Sequence, residues 1–358
     1  MKKRWQLRTA LAASLLVVAC VGPLEVRAPL CSADNLATVA FQRIAGAQPL
    51  KSVLAPEPNT WRSGFLGMPT VVQADGRYLM YFTAEEKPER GESPYVKYLN
   101  SSRIGLATST DGTFWEINPQ PVVMPTITET SDRAGAAHPF VIYRNGRFTM
   151  WYGMIDGTQA KNGVRREVIG IATSTDGVSF RKMGPVSGLG DLQGLDDVQA
   201  TGMHVEMIGG RYVMWYGGYG LDREHTILSA TSDDGITWRR LNAGKPLVGL
   251  APDGVQVLGP SVYFDGLRYL MFYSRNDGNV WRLHKATSND GINWRWRGEV
   301  LPAALPKWFD DADIGQNHSV HPSQILLEGS RVRIWYTGES RTENGLQSIG
   351  LMQGTCRE

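Results

Sequence analysis

Residues 148–180 read FTMWYGMIDGTQAKNGVRREVIGIATSTDGVSF, and this stretch decides the fold because its pattern returns along the chain. An apolar, aromatic segment comes first, and a second segment then runs into a Ser-x-Asp-Gly turn that an aromatic residue follows. Five units recur with a period of roughly 57–70 residues, which is typical of repeat architectures. The aromatic segments lie at 78–82, 148–152, 212–216, 269–273 and 332–336, and the first four units have turns at Asp111, Asp176, Asp234 and Asp290.

These units predict an all-β fold, namely a five-bladed β-propeller. Asp-Gly pairs form hairpin turns, because glycine accepts a positive φ and aspartate bonds its own backbone. The nearly continuous apolar segments suit strands that are buried on both faces. Four-stranded blades stacked around an axis provide that burial. No linker divides the repeats, so we assign residues 36–358 to one propeller domain.

The two ends of the chain are predicted to meet in the last blade. The fifth unit stops at Cys356, before a fourth, outer strand. Residues 41–50 match residues 238–247 position by position in character, so we predict that residues 36–50 form the outer strand of the last blade. This N-terminal strand places Cys31 near Cys356, and we predict a disulfide between them, as an oxidising compartment allows. Two unrelated buried thiols are the alternative.

The first twenty residues indicate export. Lys2, Lys3 and Arg4 precede an apolar run at 11–19, which is shorter than the about 20 residues that span a bilayer. The run ends at Cys20 and resembles a lipoprotein cleavage box, in which the cysteine becomes lipidated. We predict a lipoprotein-type signal peptide at 1–20, an N-terminal tether at 21–35, and a periplasmic or cell-surface protein held to a bacterial membrane by lipid only. An ordinary signal peptide is the alternative.

Composition argues against a nucleic-acid partner. The formal net charge is +2, and no basic run follows residue 8. The 40 glycines and 19 prolines suit a turn-rich β protein. We therefore expect no nucleic-acid binding, and we expect a monomer.

The repeated motifs resemble a known group of enzymes. The Met-Trp-Tyr strands, the Ile-Gly-x-Ala-Thr-Ser segments and the Ser-x-Asp-Gly-x-x-Trp turns are similar to those of the five-bladed glycosidase propellers. These include the arabinanase and xylosidase family, the invertase and levansucrase families, and the mannoside phosphorylases. The resemblance implies a carbohydrate substrate, bound at one end of the central channel.

Three aspartates are the candidate catalytic residues. The innermost strands align on Pro69, Pro139, Met203, Pro260 and Pro322, and seven residues earlier three units carry Asp132, Asp196 and Asp253. Glycoside cleavage requires two carboxyl groups across the scissile bond, and a channel rim lined by these aspartates could supply them. We predict Asp196 and Asp253 as the leading pair. The alternative is that they cap turns or bond the backbone between blades.

The sequence departs from the pattern that the resemblance implies. The arabinanase-type base position holds Met68, and the acid position falls on Thr201 or Leu258, neither of which is acidic. His138-Pro139 stands where the phosphorylases have Asp-Pro. The catalytic set therefore cannot be transferred by position, and either the acids have moved or catalysis is lost.

Several further residues are predicted to bind substrate at the same rim: Arg62, His138, Asp197, His204, His321 and Trp308. The histidines could bond sugar hydroxyls, act as acid or base, or hold an ion on the axis. Their spacing is not that of a tight metal site, so we predict no metal and no cofactor, with an axial metal ion as the alternative.

Two functions remain in competition at this point. The first is a glycoside hydrolase, or a related glycosyl-transferring enzyme, acting on an extracellular poly- or oligosaccharide. The alternative is a non-catalytic carbohydrate-binding or surface-interaction lipoprotein on the same scaffold, because a fold does not fix a function. Channel-facing carboxylates would favour the enzyme, whereas aspartates turned into contacts within or between blades would favour the binder.

Overall fold

The fold is nearly all β. A computed structural model describes residues 31–48, 51–87, 102–126, 131–160, 164–221, 225–276, 281–300, 322–340 and 346–357. Within these ranges the α-helical element is α1 (Ala33–Thr38), which Ser32 caps by accepting a hydrogen bond from the Asn35 amide. The prediction of an all-β chain is confirmed.

Within the described residues the strands form five antiparallel groups. The first group contains β2 (Phe65–Ala74), β3 (Arg77–Glu85), β4 (Arg103–Ser109) and β5 (Glu116–Ile117). The second contains β6 (Gly135–Arg144), β7 (Arg147–Gln159), β8 (Arg165–Ser174) and β9 (Arg181–Pro185). The third contains β10 (Gln199–Ile208), β11 (Arg211–Tyr219), β12 (Thr226–Ser232) and β13 (Arg239–Arg240). The fourth contains β14 (Val257–Phe264), β15 (Tyr269–Asn276), β16 (Trp281–Ser288) and β17 (Trp294–Glu299).

The fifth group is completed from the other end of the chain. It contains β18 (Leu326–Glu328), β19 (Arg331–Ser340) and β20 (Leu346–Thr355), and β1 (Gln42–Ile44) pairs antiparallel with β20. This is the N-terminal pairing that the repeats predict. The strand is shorter than the predicted 36–50, however, because residues 33–38 form α1 instead. Cys31 and Ala33, assigned to the tether, are buried against the fourth and fifth groups.

Each Ser-x-Asp-Gly turn is held by its aspartate. In the third group the Asp234 carboxylate accepts hydrogen bonds from the Ile236 and Thr237 amides and from the Ser232 hydroxyl. The Thr237 amide, followed by the Ile236 amide and the Ser232 hydroxyl, lowers the pKa of Asp234 to about 2. Gly235 has a φ of 76°, which explains the glycine at this position.

The same turns join one group to another. In four junctions the fourth residue of a buried aromatic strand donates a hydrogen bond of 2.9–3.0 Å to the glycine carbonyl of a neighbouring turn. The donor and acceptor pairs are Tyr81 with Gly177, Trp151 with Gly235, Trp215 with Gly291, and Trp335 with Gly112. The last pair joins the fifth group to the first.

The junction between the fourth and fifth groups is built differently. Phe272 holds the position of the donor and has no polar atom; its ring meets Phe41 edge-on, with centroids 5.7 Å apart. The same apolar cluster contains the disulfide between Cys31 and Cys356, whose Cα atoms are 5.8 Å apart. The predicted disulfide is therefore present.

The α-helical element of the described ranges, α1, has six residues. None of the helices there is long and apolar enough to cross a bilayer.

Candidate functional site

The first strand of each of four groups contains a β-bulge at the same position, and these bulges position the residues of the site. In β2, β6, β10 and β14 the antiparallel pairing shifts at the same place, as it does between Gly67 and Thr70 in β2. Each bulge contains one residue with left-handed backbone, and a bulge of this kind re-aims a side chain. These residues are Met68, His138, Gly202 and Gly259, with φ values of 54°, 51°, 55° and 61°. In the sequence they directly precede the residues on which the innermost strands align, namely Pro69, Pro139, Met203 and Pro260.

The bulges converge on one cavity, here called the axial cavity. Its volume, measured as the space open to the centre of a water molecule, is about 40 Å³. All five groups contribute to its lining: Met68, Pro69, His138, Phe140, Gly202, Met203, His204, Gly259, Pro260, Pro322, Ser323 and Gln324. The alignment of the five innermost segments therefore identified residues that share one space.

His138 is held firmly at the edge of this cavity. Left-handed backbone at a residue other than glycine costs on the order of 1–3 kcal/mol and persists only where the surroundings enforce it. The His138 amide donates to the Thr83 hydroxyl at 2.8 Å, just as the Met68 amide donates to Thr337 at 2.6 Å. The strained conformation is thus fixed by the preceding group.

A buried glutamate lies behind His138. The Oε1 atom of Glu167 is 2.6 Å from Nδ1 of His138 and accepts a hydrogen bond of 2.5 Å from the Thr201 hydroxyl. Thr201 is one of the two positions where the resemblance expects an acid. Glu167 lies near the start of β8, next to β10, and its backbone pairs in parallel with that of Gln199. A carboxylate from the neighbouring strand thus lies beside the expected position.

Gly153 provides the space for this carboxylate. A Cβ atom at Gly153 would lie 1.8 Å from Oε1 of Glu167. The glycine does not have left-handed backbone, so the requirement for glycine here comes from the neighbouring carboxylate.

His204 is the second histidine of the axial cavity. Its side chain is 1% exposed, and its Nε2 atom is 3.1 Å from Glu206. The ring packs against Phe140, with centroids 4.7 Å apart. Its Nδ1 atom has no hydrogen-bond partner within the described residues.

Asp132 and Asp196, two of the predicted catalytic residues, are engaged elsewhere. The Asp196 side chain is 0% exposed, 3.0 Å from Arg240, and accepts a 2.8 Å hydrogen bond from Tyr216. Asp132 is likewise buried and pairs with Lys182, which holds the position of Arg240 in the second group. Burial, followed by the charge of Asp196, raises the pKa of Tyr216. Each carboxylate links the segment that leads into the first strand of a group to the outer strand of the same group.

The other predicted residues are scattered. Asp253 is exposed in a turn, and Asp197 accepts a hydrogen bond from the Gly194 amide at 2.9 Å. Arg62 pairs with Glu57 and lies over the Trp61 ring. Among the described residues that were predicted to form the site, the cavity brings together His138 and His204. Cys20, Trp308 and His321 lie outside the described residues.

Glu167 was missed by the sequence analysis, although a signal for it exists. The segments that run into the Ser-x-Asp-Gly turns repeat from Ile104, Ile169, Ile227 and Leu283 onward, and Ile349 holds the same place in the fifth unit. Two residues earlier the chain has Ser102, Glu167, His225, Trp281 and Gln347. This position is variable in chemistry while its neighbours repeat, which is typical of a site residue on a repeated scaffold.

Across the described part of the chain, no group of three or more His, Cys, Asp or Glu side chains is arranged to hold a metal ion.

Comparison with known proteins gives partial matches. No protein-family model matches the chain. An uncharacterised protein of Mycobacterium tuberculosis is 31% identical over 185 residues, covering 51% of this chain and 57% of that protein. A 1,2-β-oligomannan phosphorylase of Thermoanaerobacter sp. is 31% identical over 207 residues, covering 56% of this chain and 64% of the relative. The chain thus spans less than two thirds of the length of these curated relatives.

Solved structures match over most of the chain. The β-1,2-mannobiose phosphorylase of Listeria innocua, solved with β-1,2-mannobiose, has a TM-score of 0.64 and 13% identity. The match covers 88% of this chain and 97% of that one. The predicted resemblance to glycosidase and mannoside phosphorylase folds is confirmed.

Proposed function

We propose that this protein is a carbohydrate-active enzyme that cleaves glycosidic bonds at the mouth of the axial cavity. The observation that carries the proposal is the His138–Glu167 pair, at 2.6 Å, beside a cavity on which the bulges of the first strands converge. A concave site on which a few polar side chains converge is the usual form of a binding or active site. In the same proposal, the five strand groups are the blades of a five-bladed propeller.

A largely buried aromatic cluster lies close enough to Glu167 to feel its charge, although it does not line the axial cavity. Tyr219 and Trp281 flank His225, with ring centroids 4.6 and 6.3 Å from it. Burial, the larger effect, lowers the pKa of His225 to about 4, although the Glu167 carboxylate acts in the opposite direction. His225 is therefore neutral at neutral pH and can donate or accept a hydrogen bond to a hydroxyl group.

The relatives narrow the choice of first substrates. One acts on 1,2-β-oligomannan and another solved relative binds β-1,2-mannobiose, according to their names. We propose β-1,2-linked mannose oligosaccharides as the first class to test, with either water or inorganic phosphate as the acceptor of the sugar. Hydrolysis and phosphorolysis differ only in which oxygen attacks the anomeric carbon.

The decisive experiment offers the full-length protein β-1,2-mannobiose, longer oligomannans and a panel of aryl glycosides, with and without inorganic phosphate. Products are separated by anion-exchange chromatography. We expect free mannose without phosphate if the protein is a hydrolase, or a sugar phosphate that requires phosphate if it is a phosphorylase. No cleavage of any glycoside in either condition would contradict the proposal.

A non-catalytic carbohydrate-binding protein is the second candidate. The buried ion pairs of Asp132 and Asp196 favour it, since those carboxylates are already occupied. Calorimetric titration with the same oligosaccharides separates the two candidates. Binding without turnover would support the binder, whereas turnover would exclude it.

Export and lipidation at Cys20 are proposed together, with the protein as a monomer that carries no resident cofactor. The buried disulfide between Cys31 and Cys356 supports an oxidising compartment. Metabolic labelling with a fatty-acid analogue should modify the full-length chain and should not modify the Cys20→Ser variant. Equal labelling of both would contradict lipidation at Cys20.

A further inference from the structure

We infer that His138 and Glu167 form an acid–base dyad, in which Nε2 of His138 transfers the proton and Glu167 is a positioning residue. The inference rests on the proposed glycosidic-bond cleavage and names the side chains that perform its proton transfer. It differs from the aspartates predicted from the sequence, of which Asp132 and Asp196 form ion pairs with Lys182 and Arg240.

The hydrogen-bond pattern determines which ring nitrogen carries the permanent proton. Oε1 of Glu167 accepts from the Thr201 hydroxyl, and an ionised carboxylate has acceptors only. The 2.6 Å contact between Nδ1 of His138 and Oε1 of Glu167 is then assigned to an N–H on Nδ1, an atom that also lies 2.6 Å from the Thr201 oxygen. Nε2 is then the atom that gains or loses a proton, and it has no partner within the described residues. A carboxylate fixes the tautomer of a catalytic histidine in the same way in serine hydrolases.

The orientation of the ring is fixed from two sides. The left-handed backbone of His138 is held by the Thr83 hydroxyl, and its ring by Glu167 and Thr201. The His138 side chain is 19% exposed and lines the cavity, whereas Glu167 is 3% exposed and lies behind it. This division suits a proton-transferring residue in front and a positioning residue behind.

The chemical step balances with water or phosphate as the co-reactant. The imidazolium gives its Nε2 proton to the glycosidic oxygen while the bond between that oxygen and the anomeric carbon breaks. An oxygen of water or inorganic phosphate forms the new bond to the anomeric carbon. The proton that the attacking group carries is released to solvent, and a solvent proton returns His138 to its charged form.

The first test replaces His138 without changing the backbone requirement. Gly202 and Gly259 hold the same left-handed position in two other groups, so His138→Gly should fold. General acid–base catalysis contributes about 10²–10⁴-fold, and we expect kcat to fall by this factor. Added imidazole should restore part of the activity of the glycine variant, because it can occupy the vacated space. Glu116→Gln, at an exposed glutamate on β5, serves as the matched control with unchanged activity.

The second test moves or neutralises the carboxylate. Glu167→Gln and Gly153→Ala should each lower kcat by about 10²-fold or more with little change in KM, since proton transfer rather than binding is affected. By proton NMR, the wild type and Glu116→Gln should show a far-downfield imidazole N–H signal that both variants lose. Thermal unfolding checks that the variants are folded.

The outcomes separate this inference from the proposed function. A wild type that cleaves no glycoside overturns the proposed function. An active wild type whose His138→Gly variant keeps its kcat, or is not rescued by imidazole, overturns the dyad alone. The same holds if Glu167→Gln retains full kcat and the downfield signal.

Discussion

The third and fourth strand groups share one repeated sequence pattern, but they are held in place by different interactions. In the third group Trp215 donates to the carbonyl of Gly291, and Asp196 forms a buried ion pair with Arg240. In the fourth group Phe272 packs on Phe41 instead. The equivalent of Arg240 is Trp296, and the equivalent aspartate, Asp253, is exposed.

This difference shows that the apolar repeat and the polar positions have separate roles. The buried aromatic strands specify the sheet in both groups. The polar side chains specify the interactions by which each group contacts its neighbour. Within the described residues of the fifth group there is no Ser-x-Asp-Gly turn. A hydrogen-bond donor in place of Phe272 would therefore find no turn glycine carbonyl to accept its hydrogen bond. The N-terminal segment and its disulfide fill that junction.

The largest expected effect concerns the buried ion pair of the third group. Arg240→Met leaves the Asp196 carboxylate buried without its charge partner, and removal of one partner of such a pair costs about 3–5 kcal/mol. Asp253→Asn, the counterpart in the fourth group, should change the free energy of unfolding by less than about 0.5 kcal/mol. Urea titration followed by tryptophan fluorescence measures both. Equal effects of the two substitutions would remove the distinction between the groups.

The disulfide should matter almost as much. Replacing both Cys31 and Cys356 with serine should lower the free energy of unfolding by about 2–5 kcal/mol, because the bond restricts the unfolded chain over a separation of 325 residues. Urea titration of the double variant and of the reduced wild type should agree. If neither shows a loss of stability, the apolar contacts of Phe272 alone are sufficient to hold the fourth and fifth groups together.

A smaller effect is expected from exchanging the two types of junction. Tyr81→Phe removes the hydroxyl that donates to Gly177 and should cost about 1 kcal/mol, since a buried carbonyl loses its partner. Phe272→Tyr adds a buried hydroxyl beside Phe41 and should cost about 1–3 kcal/mol if the hydroxyl finds no partner. Thermal unfolding of both variants measures the losses. A stabilised Phe272→Tyr variant would show that this junction accepts a donor.

The smallest expected effect is the stability that the Asp234 turn loses at low pH. Hydrogen bonds from Thr237, Ile236 and Ser232 lower the pKa of Asp234 to about 2 in the folded state, below the about 3.9 of an unfolded chain. The contribution of this turn is therefore complete above about pH 4 and is lost as the pH falls towards 2. Urea midpoints between pH 5 and pH 2.5 should fall less steeply for Asp234→Asn. Parallel curves for wild type and variant would contradict this assignment.

The sequence predicts the scaffold better than the site, for reasons that particular residues make clear. The repeats place Pro69, Met203 and Pro260 around one cavity, because a bulge recurs at the same step of each first strand. The ion pair of Asp196 could not be predicted, because its partner Arg240 lies 44 residues later, in a two-residue outer strand that no local pattern marks.

Glu167 was missed for a related reason. Its contacts with His138 and Thr201 cross 29 and 34 residues of sequence, and they depend on the space left by Gly153. Pairings of this kind arise from how groups pack together, which a single repeat does not encode. The N-terminal pairing of β1 with β20 was predictable because it repeats a pattern that is present elsewhere in the chain.

The bond between Cys31 and Cys356 makes the backbone between these two residues a covalent macrocycle. A protease that cuts one surface loop of this protein would therefore open the circle without releasing a fragment. The nicked chain would stay associated and migrate at its full mass until a reductant separates the pieces. A protein exposed to extracellular proteases would tolerate a first cleavage between the two cysteines for this reason, and a second cut there would be needed before any part of the macrocycle could be lost.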